Sequence, residues 1–213
     1  CPSVHTLRGA EVLPVGKSEM VTHVGVNGVV AAAEVEQGGT TEAGSVGAFL
    51  PWAAFSYRTG VADRLDVQVK AGLDIFPEIS AAYQVVGTPG EGGTAVSVSI
   101  GAKWFSMGAG DTDLSLVYLP VSVLADLPLG AAKLFLRGGA MVIGASNSDG
   151  SEFFAKPLVG LGARVKLGGM TLMPELNYLH AGSADAGSAG GEDEDTSINV
   201  DAGLAAFGLG FVF

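Results

Sequence analysis

The side chains of this 213-residue sequence with the most chemistry to offer are three histidines, one cysteine and a run of four acids. His180 stands three residues before Ser183, with Glu175 and Asp185 close in sequence. A serine activated by an imidazole that an acid orients is the constellation of acyl-transfer hydrolysis. On an extended strand, residues three apart face opposite sides, so this set needs a bend at Gly182 before the two can meet. The plain alternative is a histidine at a rim, and the sequence is read as that of a non-enzyme. His5 lies near the start of the chain, and His23 lies on the polar side of an alternating segment, where a hydrogen-bonded structural role is expected. Glu192-Asp193-Glu194-Asp195 offers hard oxygen ligands of the kind calcium takes. Four adjacent acids lack the alternating ligand spacing and turn glycine of a defined calcium loop, so a solvated acidic loop is expected and no metal site. There are no paired glycosidase carboxylates and no zinc spacing, and Pro89-Gly90-Glu91-Gly92-Gly93 belongs to a turn rather than to a phosphate-cradling entry into a helix.

Composition bounds what could position such groups. The chain carries 11 Lys and Arg against 22 Asp and Glu, a net charge of −11, which repels nucleic-acid phosphates and argues against nucleic-acid partners. Mean hydropathy is +0.41, yet the longest largely apolar stretch, Leu114 to Ala125, is interrupted by Ser115, Pro120 and Ser122. It falls short of the roughly 18 residues of a membrane-spanning helix. With 33 glycines and one cysteine, the chain is neither a disulfide scaffold nor a bundle of apolar helices.

Period-two alternation is the dominant pattern. From Arg64 to Leu73, one face holds Leu65, Val67, Val69, Ala71 and Leu73, and the other holds Arg64, Asp66, Gln68 and Lys70. The same pattern recurs over Glu78–Val85, Ala95–Phe105, Ala132–Ser146 and Pro157–Leu167. Glycine and acid clusters punctuate ten segments, at about 18–32, 46–59, 64–73, 78–87, 94–105, 112–126, 131–146, 156–168, 171–182 and 196–213. Each is near the length a tilted strand needs to cross a bilayer. The sixth loses strict phase around Val117 to Val121, which predicts a bulge or two buried faces. Short turns at 60–63, 127–130 and 168–169 tend to alternate with longer polar loops at 34–45, 147–155 and 183–195. Two connections fit this scheme poorly: 74–77 is short and 88–93 is long.

The charges then take one side. The polar faces hold Arg58, Arg64, Lys70, Lys103, Lys133, Arg137, Arg164 and Lys166, which is 8 of the 11 basic residues. Glu19, Asp66, Glu78, Glu175 and Asp201 are available as partners. The opposite wall is Val, Leu, Ile, Ala and Gly. Strands with an apolar outer wall must close on themselves, because hydrocarbon cannot satisfy an open edge. The expected fold is therefore all-β: a closed antiparallel transmembrane β-barrel of about ten strands, with eight as the alternative. Residues 1–17 are expected as a periplasmic tether and 18–213 as the barrel. A narrow interior packed with Arg, Lys and Glu reads as a plugging ion-pair network, with a thin pathway for a small anion or an amphiphile as the second reading. Trp52, Trp104, Tyr57, Tyr83 and Tyr178 are candidates for interfacial girdles, with Trp52 alternatively inside.

Three short motifs carry resemblances. Cys1-Pro2-Ser3-Val4 resembles the mature start of bacterial lipoproteins, which implies a diacylglyceryl and acyl lipid on Cys1, and no aspartate follows the cysteine. Gly208, Phe211 and Phe213 on an alternating last strand resemble the C-terminal signal read by the barrel assembly machinery of outer membranes, although Ala206 departs from the polar residue usual there. The stretches Leu13-Pro14-Val15-Gly16-Lys17 and Arg58-Thr59-Gly60-Val61-Ala62-Asp63-Arg64-Leu65-Asp66 resemble those of small Gram-negative outer-membrane proteins of unassigned role. That likeness implies an outer-membrane location, lipid as a neighbour, and no catalytic residues. A structural or complex-subunit role is expected, with self-association through small residues such as Gly138, Ala140, Gly144, Ala202 and Ala206. The His180/Ser183 set resembles that of outer-membrane lipid A deacylases, a minor alternative.

Overall fold

The computed structural model describes residues 8–37, 40–73, 77–109, 112–147, 150–185 and 196–212. Ten strands follow one another: β1 (Ser18–Gln37), β2 (Thr40–Ala62), β3 (Leu65–Gly72), β4 (Glu78–Val86), β5 (Ala95–Ala109), β6 (Thr112–Leu129), β7 (Ala132–Asn147), β8 (Gly150–Leu167), β9 (Met170–Asp185) and β10 (Thr196–Val212). Each pairs antiparallel with its sequence neighbours, and β10 returns to pair with β1, closing a barrel. All ten segments lie in one ring, which disposes of the eight-strand alternative. At the seam Gly25 stands opposite Gly208, and a side chain on Gly25 would run into the backbone of Phe207 and Gly208.

Alternation decides which way each residue faces. Along β3 and β4, Asp66, Gln68, Lys70, Glu78, Ser80 and Gln84 are buried in the lumen, while Val69, Ile79, Tyr83 and Val85 are exposed on the outside. Leu134, Leu136, Val159, Leu161 and Phe207 continue that apolar outer wall around β7, β8 and β10. No helix of the described residues is long and apolar enough to cross a membrane.

The structure departs from the sequence reading at several places. The polar stretches 34–45 and 147–155 are largely strand, because the ladders continue from the membrane-like segments as far as Gln37↔Thr40 and Asn147↔Gly150. Backbone pairing needs no side-chain alternation, so the hairpins extend where the period stops. β6 contains no register shift against β5 or β7. Nor are both faces buried: its lost phase comes from apolar residues on both faces, with Tyr118 buried inside and Val117 and Val121 exposed outside. Trp52 is buried inside, whereas Trp104, Tyr57, Tyr83 and Tyr178 face out. Of the small residues expected to form an outer contact wall, Ala206 is buried in the lumen and Gly144 is covered by Phe153.

The leader differs most. From Arg8 onward it is not a free tether but enters the barrel mouth at the end where β2–β3, β4–β5, β6–β7 and β8–β9 turn. Arg8, Ala10 and Val12 are buried there. Val15 makes a parallel bridge to Gly60, Gly16 N–H donates to the Gly60 carbonyl at 3.0 Å, and Gly60 N–H donates to the Lys17 carbonyl at 3.0 Å. Glycine is required at position 60, since a Cβ would collide with the Leu13 and Pro14 carbonyls.

Candidate functional site: the lumen and its turn-end mouth

An extended leader inside a barrel brings backbone N–H groups away from water, and each must find an acceptor. The wall supplies them in order. Asp126 accepts from Ala10 N–H at 2.7 Å and from Glu11 N–H at 3.0 Å, Gln84 from Val12 N–H at 2.9 Å, and Asp66 from Leu13 N–H at 3.1 Å. Asp66 also receives both the Arg8 guanidinium and Arg58 Nε, the latter at 2.6 Å. Arg58 in turn donates to the Glu11 carbonyl. The Glu11 carboxylate binds Lys133 Nζ and, on its other oxygen, Gly92 N–H at 2.7 Å. The over-long 88–93 connection thus has a structural use: it carries Gly92 to the leader. Burial alone would raise the Glu11 pKa, but the bonds from Lys133 and Gly92 outweigh it and hold the carboxyl below its ordinary value.

Deeper in the lumen, Glu78 holds two ammonium groups, Lys70 at 2.7 Å and Lys103 at 3.0 Å. Lys70 also lies 5.8 Å from the Trp52 ring, within range of a cation–π contact. Arg137 Nε donates to Ser122 at 2.9 Å, Asn177 donates to Glu175, and His23 Nε2 shares a 2.8 Å hydrogen bond with Ser56. Arg164 joins Glu19 at 2.7 Å and donates to the Met173 sulfur at 3.3 Å. The lumen therefore sets seven cations (Arg8, Arg58, Lys70, Lys103, Lys133, Arg137, Arg164) against six carboxylates (Glu11, Glu19, Asp66, Glu78, Asp126, Glu175) among the described residues. Near balance of this kind leaves little net charge among the described lumen groups.

Toward the opposite end, on β6 to β10, the lumen turns apolar. Tyr118, Met141, Leu158, Leu179 and Ala206 form one buried cluster, backed by Leu116, Ile143 and Leu204. A second buried cluster, Trp52, Ala54, Phe135 and Met173, reaches back toward the turns, with Phe135 and Met173 three residues from the turn-end starts of β7 and β9.

Most residues expected in the charge network meet inside the barrel, but three do not. Arg64 occupies the β2–β3 turn with φ of 62°, in the left-handed region, and its carbonyl accepts from Gln84 N–H at 2.8 Å. Counting it into the strand places it one step too far along. Lys166 is exposed at the mouth, close to the β8–β9 turn. Asp201 lies outside the lumen, 58% exposed, with its carboxylate 3.4 Å from His180 Nδ1. The residues that sequence reasoning missed are Arg8, Glu11 and Asp126.

At His180 the backbone does bend. Gly182 has φ of 125°, and the β9–β10 register shifts so that His180 stands opposite Gly203 and Ser183 opposite Asp201. The side chains of Ser183 and Asp185, together with Cys1, Phe213 and residues 192–195, lie outside what the structure describes. Gly208 and Phe211 lie on the closing strand. Among the described residues, no group of three His, Cys, Asp or Glu is placed to hold a metal ion.

No family model matches the chain, and no curated protein matches it by sequence. Among solved structures it is similar to the outer membrane protein OprG of Pseudomonas aeruginosa, with 12% identity, TM-score 0.38, and 95% of this chain and 99% of that one covered. It is also similar to Ail, the attachment invasion locus protein of Yersinia pestis, with 14% identity, TM-score 0.31, and coverage of 90% and 98%. A third is the outer membrane protease OmpT of Escherichia coli, with 8% identity, TM-score 0.38, and coverage of 96% and 100%. At this distance no functional residue is carried across, and the closed ten-stranded barrel stands on the chain's own strand pairing.

Proposed function

We propose that this chain is a non-catalytic outer-membrane barrel with a structural or complex-subunit role. The supporting observation is the filled lumen: a leader bonded into the mouth, a nearly balanced ion network behind it, and an apolar cluster beyond. The outward wall of Leu136, Val159, Leu161 and Phe207 suits hydrocarbon, and closure of the ladder suits a medium that cannot bond to backbone. The glycine and aromatic pattern of β10 supports insertion by the barrel assembly machinery. Planar-bilayer recording tests the reading. The wild-type chain is expected to give no resolvable current steps, and reproducible ohmic steps from the intact barrel would replace the structural reading with transport.

A further inference from the structure

A cavity of about 580 Å³ opens at the turn-end mouth, between the leader and the β6–β7 and β8–β9 turns. That volume is typical of small-molecule sites. Its charged lining is Arg58, Lys133, Arg164 and Lys166 against Glu11 and Glu19. Lys133 stands directly opposite Arg164 in the β7–β8 ladder, and Lys166 follows two residues along β8. Like charges facing each other across a sheet repel. Here Glu11 reaches Lys133 from the leader, and Glu19 reaches Arg164 from β1.

Those two acids are fully engaged. Glu11 also takes Gly92 N–H at 2.7 Å, and Glu19 also faces Arg58 at 3.7 Å. Behind the cavity Asp66 serves two guanidiniums, Arg8 and Arg58, with one carboxylate. Asp126 is turned to the leader amides and does not line the cavity. Lys166 has no acidic partner among the described residues. Among the described residues, the wall of this cavity is thus left with excess positive charge in a chain whose net charge is −11.

The geometry points to a binding site for a small solute bearing a phosphate-type multivalent oxyanion, entered from the turn-end solvent. Arg164 offers a planar donor fork, Lys133 an ammonium held in place by Glu11, and Lys166 a mobile point charge, the combination that suits phosphate oxygens. Pro14 and Pro128 give the solute body an apolar surface. Lys133 and Arg164 project on the lumen side of the wall, so the barrel itself stands between them and lipid. The site needs no passage through the lumen and is compatible with a closed barrel.

The test uses the full chain in nanodiscs of zwitterionic lipid, with inorganic pyrophosphate as the probe. Calorimetry is expected to show saturable binding, with NMR shifts confined to the amides of Gly92, Ala132 and Thr171. Lys166→Gln, a change at an exposed rim position, should weaken binding several-fold. Lys133→Gln combined with Lys166→Gln should weaken it by about tenfold or more. Heat-modifiable gel mobility confirms that each variant remains a folded barrel. Absence of saturable binding, or equal affinity in wild type and both variants, overturns the proposal. In discs containing phosphatidylglycerol, the same amide shifts without pyrophosphate and loss of pyrophosphate binding would assign the site to a lipid headgroup and overturn the free-solute reading.

Discussion

At the turn end, the space inside the barrel is taken up by Arg8, Glu11, Arg58, Asp66 and Asp126, each bonded to at least one other lumen group. Toward the opposite end, on β6 to β10, equivalent space is taken up by the packed side chains of Tyr118, Met141, Leu158 and Leu179. The two regions fill one narrow barrel by opposite means, and they differ in how they fail. In the ionic region every group has a directional partner, so removing one partner leaves another charged and dry. In the apolar region a lost side chain leaves a void that neighbours partly close. The ionic region also holds a segment from outside the ring, the leader, which the apolar region does not.

The largest effect is expected at Asp66. Asp66→Ala leaves the buried Arg8 guanidinium without its carboxylate, takes from Arg58 the nearer of its two, and strands the Leu13 N–H. Breaking a buried pair from one side costs about 3–5 kcal/mol. The urea midpoint of the folded barrel in detergent should fall accordingly, and trypsin should cut the leader at Arg8 or Lys17 well before the ring unfolds. A wild-type midpoint together with a protected leader would show that the ion cluster carries no weight.

Next comes Leu158→Ala, at a fully buried position in the apolar cluster. Large-to-small changes of this kind cost about 2–4 kcal/mol. The midpoint should fall while the leader stays resistant to trypsin. Asp66 and Leu158 share no bonded or packed partner in their clusters. The double variant should therefore lose the sum of the two single losses to within about 0.5 kcal/mol. A larger departure from additivity would mean that the two regions are one cooperative filling, and the contrast drawn between them would fall.

How much of this was legible depended on contrast between strand faces. In β3 the alternation of Asp66, Gln68 and Lys70 with Val67 and Val69 leaves no doubt about which side is which, and the structure agrees. In β6 both faces are apolar near Tyr118, so period two has nothing to separate, and the loss of phase reads as a bulge or as two buried faces. That same loss was the trace of the apolar lumen. The leader was illegible for a different reason. Residues 8–17 form neither helix nor ladder of their own and carry no period, and their position is fixed by Asp126, Gln84 and Asp66 far along the chain. The available signal was on the wall: acceptor side chains crowding the lumen side near the turns, together with an 88–93 connection longer than a turn requires. Arg64 shows the limit of counting alternation into a turn, because a residue at φ 62° has left the strand. The candidate site was correspondingly half visible, since Lys133, Arg164 and Lys166 follow from β7 and β8, while Glu11 comes from the leader.

The smallest predicted effect concerns how the leader is held. The Glu11 carboxyl lies below its ordinary pKa in the folded protein because of Lys133 and Gly92. A group whose folded pKa is depressed stabilises the fold above its unfolded value, and that contribution is lost as pH falls through the folded value. For Glu11 the contribution is complete above the ordinary value of 4.5 and declines below it. The difference in urea midpoint between wild type and Glu11→Gln should therefore stay level from neutral pH down to about 5, then shrink as the solution is made more acidic. The amide introduced by Glu11→Gln keeps a carbonyl oxygen for Gly92 N–H, so the quantity that disappears is the charge on Lys133's partner rather than the whole contact. If instead the difference grew with acidity, Glu11 would be a carboxyl whose burial dominates its bonds, and the leader would be held by Arg8 and its backbone without help from Glu11. Asp66→Ala run over the same pH range sharpens the comparison: protection of Ala10, Val12 and Leu13 from hydrogen–deuterium exchange, taken relative to the intrinsic rate at each pH, should be low throughout in that variant, but should fall only below about pH 4.5 in wild type.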